Sequence, residues 1–158
     1  MNTALITFDF NTSAIRVVEI DGDPWFLAAD VCRALGYNVK SNGSVNTNNA
    51  LRHLDADEVN TAQIKGVRGR HPKLVSESGF YKLLMRSDKP EAHPFQDWVT
   101  GVVLPTIRKD GGYIMCEEKA ATGEMTDDEL VRRAMEMLDR KINRLRAENT
   151  AVTHAIMN

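Results

Sequence analysis

The C-terminal end of the chain constrains its fold most. Val131, Leu138, Leu145 and Val152 recur every seven residues, and Met135, Ile142, Asn149 and Ile156 recur every seven between them. Alternating steps of four and three put both sets on one narrow stripe of a single α-helix, the first set at heptad position d and the second at a. Thr126-Asp127-Asp128-Glu129 opens that helix with capping-box chemistry, a hydroxyl followed three residues later by a carboxylate. A stripe of this kind predicts a homodimer or higher homo-oligomer through residues 126–158, with the polar Asn149 fixing register at one a position. Lys141 at g and the following Arg146 at e are like charges that oppose a parallel dimer. An amphipathic helix packed on its own domain is the competing reading of the same stripe.

The rest of a 158-residue chain holds one small domain. Apolar residues at 42% and charged residues at 27% exclude wholesale disorder, and 10 Gly, 5 Pro and 2 Cys exclude collagen-like and disulfide-scaffold folds. The longest apolar run, residues 25–29, is far short of a membrane-spanning helix, and Met1-Asn2-Thr3 opens no secretory signal. Cys32 and Cys116 lack metal or redox spacing. A soluble protein with reduced thiols in a cytoplasm is expected. Charge argues against a cationic arm: residues 1–113 carry 13 Lys+Arg and 13 Asp+Glu, and residues 114–158 carry 7 and 9.

Along the chain, residues 5–10 and 14–20 form two short strands, and Asp21-Gly22-Asp23-Pro24 turns them into a third at Trp25-Phe26-Leu27. A helix over 28–35 follows, ended by Gly36. The Asn-, Ser- and Gly-rich stretch 38–49 is a loop, and Ala50, Leu51 and Leu54 give one face of a short helix over 50–54. Strands at 59–65 and 73–76 flank Gly66-Val67-Arg68-Gly69-Arg70-His71-Pro72, a hairpin tip. Phe80, Leu83 and Leu84 mark a further helix. Asp88-Lys89-Pro90-Glu91 starts another, with Asp88 as its cap, which Pro105 bends and Gly111-Gly112 ends. Residues 117–125 lack periodicity and read as a linker. The fold class is therefore α+β: a small antiparallel sheet with packed helices over 1–113, a linker over 114–125, and the heptad helix over 126–158.

Enzyme motifs fail one by one. No Gly-x-x-x-x-Gly-Lys-Ser/Thr phosphate loop occurs, Ser76 and Ser78 lack the glycine of a nucleophile elbow, and His53, His71, His93 and His154 form no His-Glu-x-x-His pair. Asp55, Asp57 and Glu58 are a divalent-cation candidate, although a solvated turn explains them better. Cys32 on an apolar helix is a packed hydrophobe rather than a nucleophile, and His93 a helix-surface residue. The expectation is a protein that is not an enzyme and takes no cofactor and no metal.

A binding surface is what remains. Lys65, Arg68, Arg70, His71 and Lys73 put four cations and an imidazole into nine residues without an acid. Such a tip can clamp phosphates, and a solvated loop has the same composition. Asn46, Asn48, Asn49 and Arg52 carry the amide and guanidinium groups that read base edges, while caps and turns use asparagines as well. Arg108 and Lys109 end a helix, where they complement its negative terminus or touch a phosphate.

Four blocks, WFLAADVCRALGY at 25–37, VSESGFYKL at 75–83, FQDWV at 95–99 and VLPTIRKDGGY at 103–113, resemble the N-terminal domain of the BRO family, found in phage antirepressors and large DNA viruses. The resemblance covers about residues 5–113. It implies a small α+β domain preceding a variable C-terminal domain, DNA binding in the viral relatives, and in phage members relief of repression by engaging a repressor protein. It brings no catalytic residues, and it makes Trp25, Trp98, Leu104 and Pro105 determinants of core and helix shape. The chain ends at Asn158 without a second globular domain, so a fragment or a short member is expected. The functional expectation is a phage or prophage transcriptional regulator in the bacterial cytoplasm. Double-stranded DNA, a phage repressor, or both are its partners. A protein-only antirepressor that sequesters its target without DNA is the rival.

Overall fold

The computed structural model describes residues 5–10, 13–37, 39–66 and 71–157. The Cα positions divide into two compact units, Met1–Asp97 and Trp98–Asn158.

In the first unit, strands β1 (Leu5–Phe10), β2 (Ser13–Ile20) and β3 (Asp23–Leu27) form the expected antiparallel meander. β5 (Lys73–Ser76) pairs with β3, and β4 (Val59–Thr61) pairs with β5 at the far edge, giving the order β1-β2-β3-β5-β4. Alternation along these strands separates two apolar faces. Ile15, Phe26 and Val75 meet helices α1 (Ala28–Leu35) and α3 (Glu77–Arg86). Phe80 stacks on Phe26 with ring centroids 4.7 Å apart, and burying a side chain of this size stabilises by about 2–3 kcal/mol. Val18, Leu27 and Leu74 make the other face, which Ile64 closes.

Ile64 also explains a difference from the sequence expectation. The strand expected over 59–65 ends at Thr61, because Ala62 and Ile64 leave the ladder to pack beneath the sheet, where Ile64 is 4% exposed. Residues 67–70, the centre of the expected hairpin tip, lie outside the described residues.

Local chemistry sets the helix ends. Gly36 stops α1 at φ 75°, a left-handed conformation that a Cβ disfavours. Ser76 Oγ accepts the Gly79 N–H at 3.1 Å to start α3. The short helix expected over 50–54 instead forms three residues earlier as α2 (Thr47–Leu51), because the Asn46 side chain captures the Asn49 N–H. Asp88 does not cap the following segment. The cap position falls on Lys89, whose N–H is taken by Ser87 Oγ, and Pro90–Ala92 form a 3-10 turn ahead of α4 (His93–Trp98).

A single clasp fixes α1 on the sheet. Asp30, 8% exposed, accepts from the Arg16 backbone N–H at 3.0 Å, Arg16 Nε at 2.8 Å and Nη2 at 2.9 Å, and Arg33 Nη1 at 3.2 Å. Burial alone raises a carboxyl pKa, but the Arg16 hydrogen bonds and the two guanidinium charges outweigh it and hold Asp30 below its ordinary value.

The second unit begins at Trp98. Pro105 has no N–H for Gly101, and the helix answers before the proline rather than in its last turn: Val99–Val103 widens into a π-helical stretch in which the Leu104 N–H reaches Val99 O. α5 (Leu104–Asp110) follows and ends at Gly111, φ 81°. Leu104 is 53% exposed, so it is not the core residue expected of it; with Ile107 it lies on the open side of α5. The segment read as a linker contains a helical turn, α6 (Glu118–Ala121), whose Glu118 accepts from Tyr113 Oη at 2.8 Å and Trp98 Nε1 at 3.4 Å. α7 (Asp127–Met157) is one continuous helix of 31 residues, and the Glu129 N–H bonds Thr126 Oγ1 as the capping pattern predicts. Among the described residues no helix is long and apolar enough to cross a membrane.

Replacing Asp30 with Asn is expected to cost about 2 kcal/mol in urea unfolding, since Arg16 is partly exposed and rehydrates. The folded pKa of Asp30 is depressed, so its contribution is complete above the unfolded value near 3.9 and vanishes as pH falls through the lower folded value. The stability gap between the parent chain and D30N should therefore close on acidification. A gap constant with pH would exclude the ionised clasp.

Candidate nucleic-acid interface

The Asn-rich stretch after α1 is a built element. Val39 and Val45 form a bridge, Lys40 and Ser44 close the turn between them, and Asn42 Oδ1 accepts from the Ser44 N–H and Oγ. Arg33, already held by Asp30, donates from Nε to Gly43 O at 3.3 Å. This small hairpin delivers the chain into α2, whose Ala50 and Leu51 are buried and whose Asn48 and Asn49 stay exposed.

α2 joins two groups of sequence-predicted residues. On one side Asn48 Oδ1 accepts from Lys73 Nζ, so the helix is tied to the first residue of β5. On the other, Asn49 and Arg52 line a cleft of about 140 Å³ with Tyr37, Ala50, His53 and Arg86. Arg52 Nε donates to His53 Nε2 at 3.1 Å, which requires a neutral imidazole protonated on Nδ1. Among the described residues, neither Arg52 nor Arg86 has a carboxylate within 4.0 Å. The Arg86 charge, then desolvation, then the Arg52 charge hold His53 below the ordinary histidine pKa.

His53, Arg86 and Tyr37 were not among the residues singled out from the sequence. Arg86 ends a helix more than thirty positions from Arg52 and carries no local motif. The Tyr37 hydroxyl fixes the approach of the two segments by donating to Leu83 O at 2.6 Å. Asn46 is a helix cap and leaves the set of base-edge candidates. Lys65 and His71 are exposed at the two ends of the cationic run, His71 at φ 48°, and Arg68 and Arg70 lie outside the described residues. Arg108 and Lys109 belong to the second unit, exposed in the last turn of α5 ahead of Gly111.

Of the competing chemical candidates, Asp55, Glu58 and Cys32 have structural roles, and Asp57 stays exposed. Asp55 and Glu58 form a reciprocal cap on the 3-10 turn Ala56–Glu58, and Glu58, 5% exposed, also accepts from Lys82 Nζ at 2.8 Å and Ser78 Oγ at 3.0 Å. The Lys82 bond leads the groups that lower the Glu58 pKa. Cys32 is fully buried and its thiol is pushed up to about 11 by burial, the opposite of an activated nucleophile.

The heptad residues of α7 are open in the single chain. Val131, Met135, Leu138, Ile142, Leu145 and Val152 are 43–63% exposed, and Asn149 is exposed with them. The half-buried residues of this helix, Leu130, Ala134 and Met137, lie off the seam, and Arg133 there donates to Met115 O at 3.3 Å. Contact with its own unit thus uses a different face from the stripe.

A five-stranded antiparallel sheet carrying helices on one face defines a small α+β domain. Residues 14–105 match the BRO family, N-terminal domain, and the chain belongs to that family. It is similar to an uncharacterized protein of Haemophilus influenzae, 33% identical over 121 residues that make up 75% of this chain and 57% of that one. It is also similar to Bro-N domain-containing protein 289L of Invertebrate iridescent virus 6, 30% identical over 139 residues, 75% of this chain and 32% of that one. A further Bro-N domain-containing protein of the same virus, 201R, is 31% identical over 123 residues, covering 68% and 29%. The chain thus spans from under a third to just over half the length of these relatives. No solved structure matches.

In a histidine-resolved NMR titration, His53 is expected to lose its proton below the ordinary midpoint of about 6.5, and Arg86→Gln to move it upward. An unchanged midpoint in R86Q would separate the two side chains.

Proposed function

We propose that this chain is a non-enzymatic transcriptional regulator of the antirepressor type, acting in the cytoplasm of a bacterial host by binding duplex DNA, a repressor protein, or both. The observation that carries the reading is the convergence on α2 of cationic and amide groups from separate parts of the sequence. Asn48 meets Lys73, and Asn49 stands with Arg52, His53 and Arg86, in a segment of zero net charge. Positive groups left without acids in a neutral domain give local phosphate attraction without a general polycation. The engagement of Asp55 and Glu58 in the cap and with Lys82 favours this reading over a nuclease that would use them with Asp57.

The same regulator works as a homo-oligomer held by α7. The open stripe of Val131, Met135, Leu138, Ile142, Leu145 and Val152 on a helix that contacts its own unit through another face supports pairing with a second copy, and Asn149 sets the register. Doubling the cationic surface raises avidity without a new contact.

A protein-only antirepressor is the second reading. It is favoured by an aromatic groove lined by Phe8, Phe26, Phe80, Tyr81 and Phe95, with Phe8 and Tyr81 more than two-fifths exposed, a surface that takes apolar side chains. Recovery of a repressor from nuclease-treated lysate separates the two readings, since DNA-bridged capture is lost there and direct capture is not.

Substituting Arg68, Arg70 and Lys73 together with Gln is expected to weaken duplex binding and reduce the slope of log K against log salt by up to about three. Unchanged affinity and slope would remove the β4–β5 connection from the contact surface. Leu138→Asp with Ile142→Asp should bring the solution mass down to that of one chain, measured by light scattering at micromolar concentration. A parent chain that is already monomeric there would overturn the pairing.

A further inference from the structure

We infer that the cleft lined by Tyr37, Asn49, Arg52, His53 and Arg86 is a phosphate-binding site. This deepens the nucleic-acid reading by naming the ligand class, a phosphate group carried either by the backbone of nucleic acid or by the free anion.

Donor chemistry points to such a ligand. Two guanidinium groups, a side-chain amide, a phenol and an imidazole line about 140 Å³, with no carboxylate among the lining residues. Guanidinium forks pair with phosphate oxygens in bidentate geometry, and amide N–H groups add a neutral donor. The space admits one phosphate-sized group together with a few waters.

The ordinary role for Arg86, capping the carbonyls at the end of α3, is already filled by other donors. Tyr37 Oη donates to Leu83 O, and Gln96 Nε2 donates to Leu84 O and Ser87 O at 2.9 Å each. The Arg86 guanidinium is thereby left to face the cleft. Asp88 is close enough to act on the Tyr37 phenol, yet it does not line the cleft and forms no ion pair with Arg86.

His53 makes the site self-reporting. Arg86 and Arg52 act on its imidazole as unneutralised charge, and the neutral ring spends Nε2 as acceptor for Arg52. A phosphate between the guanidinium groups cancels that repulsion and gives Nε2 an anion to donate to once protonated. Ligand binding therefore raises the protonated fraction of His53.

The test follows the His53 ring by NMR across pH in the full chain, comparing sodium phosphate with sodium chloride at matched ionic strength. Phosphate is expected to raise the midpoint by about one unit. Arg86→Gln and Arg52→Gln should each abolish the phosphate-dependent rise, with the fold checked by far-UV circular dichroism, while Asp88→Asn keeps it. No difference between phosphate and chloride up to roughly 10 mM, where a millimolar site is filled, overturns the inference. Equal shifts in R86Q and the parent overturn it too. A short DNA duplex as second probe distinguishes the sources. A shift with duplex assigns the site to backbone phosphate, and a shift with inorganic phosphate alone assigns it to the free anion. In that second case the phosphate site stands while the nucleic-acid reading loses this cleft.

Discussion

The buried carboxylate of Asp30 organises more of this protein than any other side chain. It takes three hydrogen bonds from Arg16 on β2 and one from Arg33 on its own helix, so the angle at which α1 leaves the sheet is set by charge-assisted geometry. That angle sends Val31, Ala34 and Leu35 against Leu83 and Leu84. The same Arg33 reaches on to Gly43 O and steadies the hairpin that feeds α2. The placement of α2, with Asn48 and Asn49, therefore hangs from an ion pair near the start of α1.

Much of the first unit was legible because its signals are local. The alternation in β2 and Gly36 after α1 act within a few residues and appear where the sequence puts them, while the turn expected over 21–24 tightens to Asp21-Gly22 because Asp23 and Pro24 join the ladder opposite Ile20 and Glu19. Errors arose where a distant partner competed. Ile64 continues a strand by propensity, but the gap under Val18, Leu27 and Leu74 draws it out of the ladder. α2 begins early because the Asn46 side chain takes the Asn49 N–H and caps it, one of the two roles its sequence leaves open. Asp55 and Glu58 fall in a turn, as their sequence favours, and an acid three residues after a capping carboxylate is the pattern that places a cap there. For the cleft itself no local signal existed. Arg52 and Arg86 meet only because Tyr37 and the α1–α3 packing bring two turns together.

Net charge is a poor guide to a protein of this kind. A segment with equal numbers of acids and bases segregates them: Asp30, Asp55 and Glu58 are engaged by Arg16, Arg33 and Lys82, whereas Arg52 and Arg86 stand without acidic partners among the described residues. The acids and bases that pair with one another cancel locally, so what the cleft presents is set by where Arg52 and Arg86 fall and not by the sum over the sequence. In the second unit the ion pairs Arg132–Glu136, Arg133–Glu129 and Arg144–Glu148 run along α7 itself. Its apolar stripe is left as the one unsolved problem of that helix.

The burial of Ile64 sets a leash length. With Ile64 pinned under the sheet and Lys73 on the ladder, eight residues lie between the two anchors, a contour of about 30 Å. Had Ile64 stayed exposed, the first anchor would be Thr61, where the ladder ends, and the free stretch would be three residues longer.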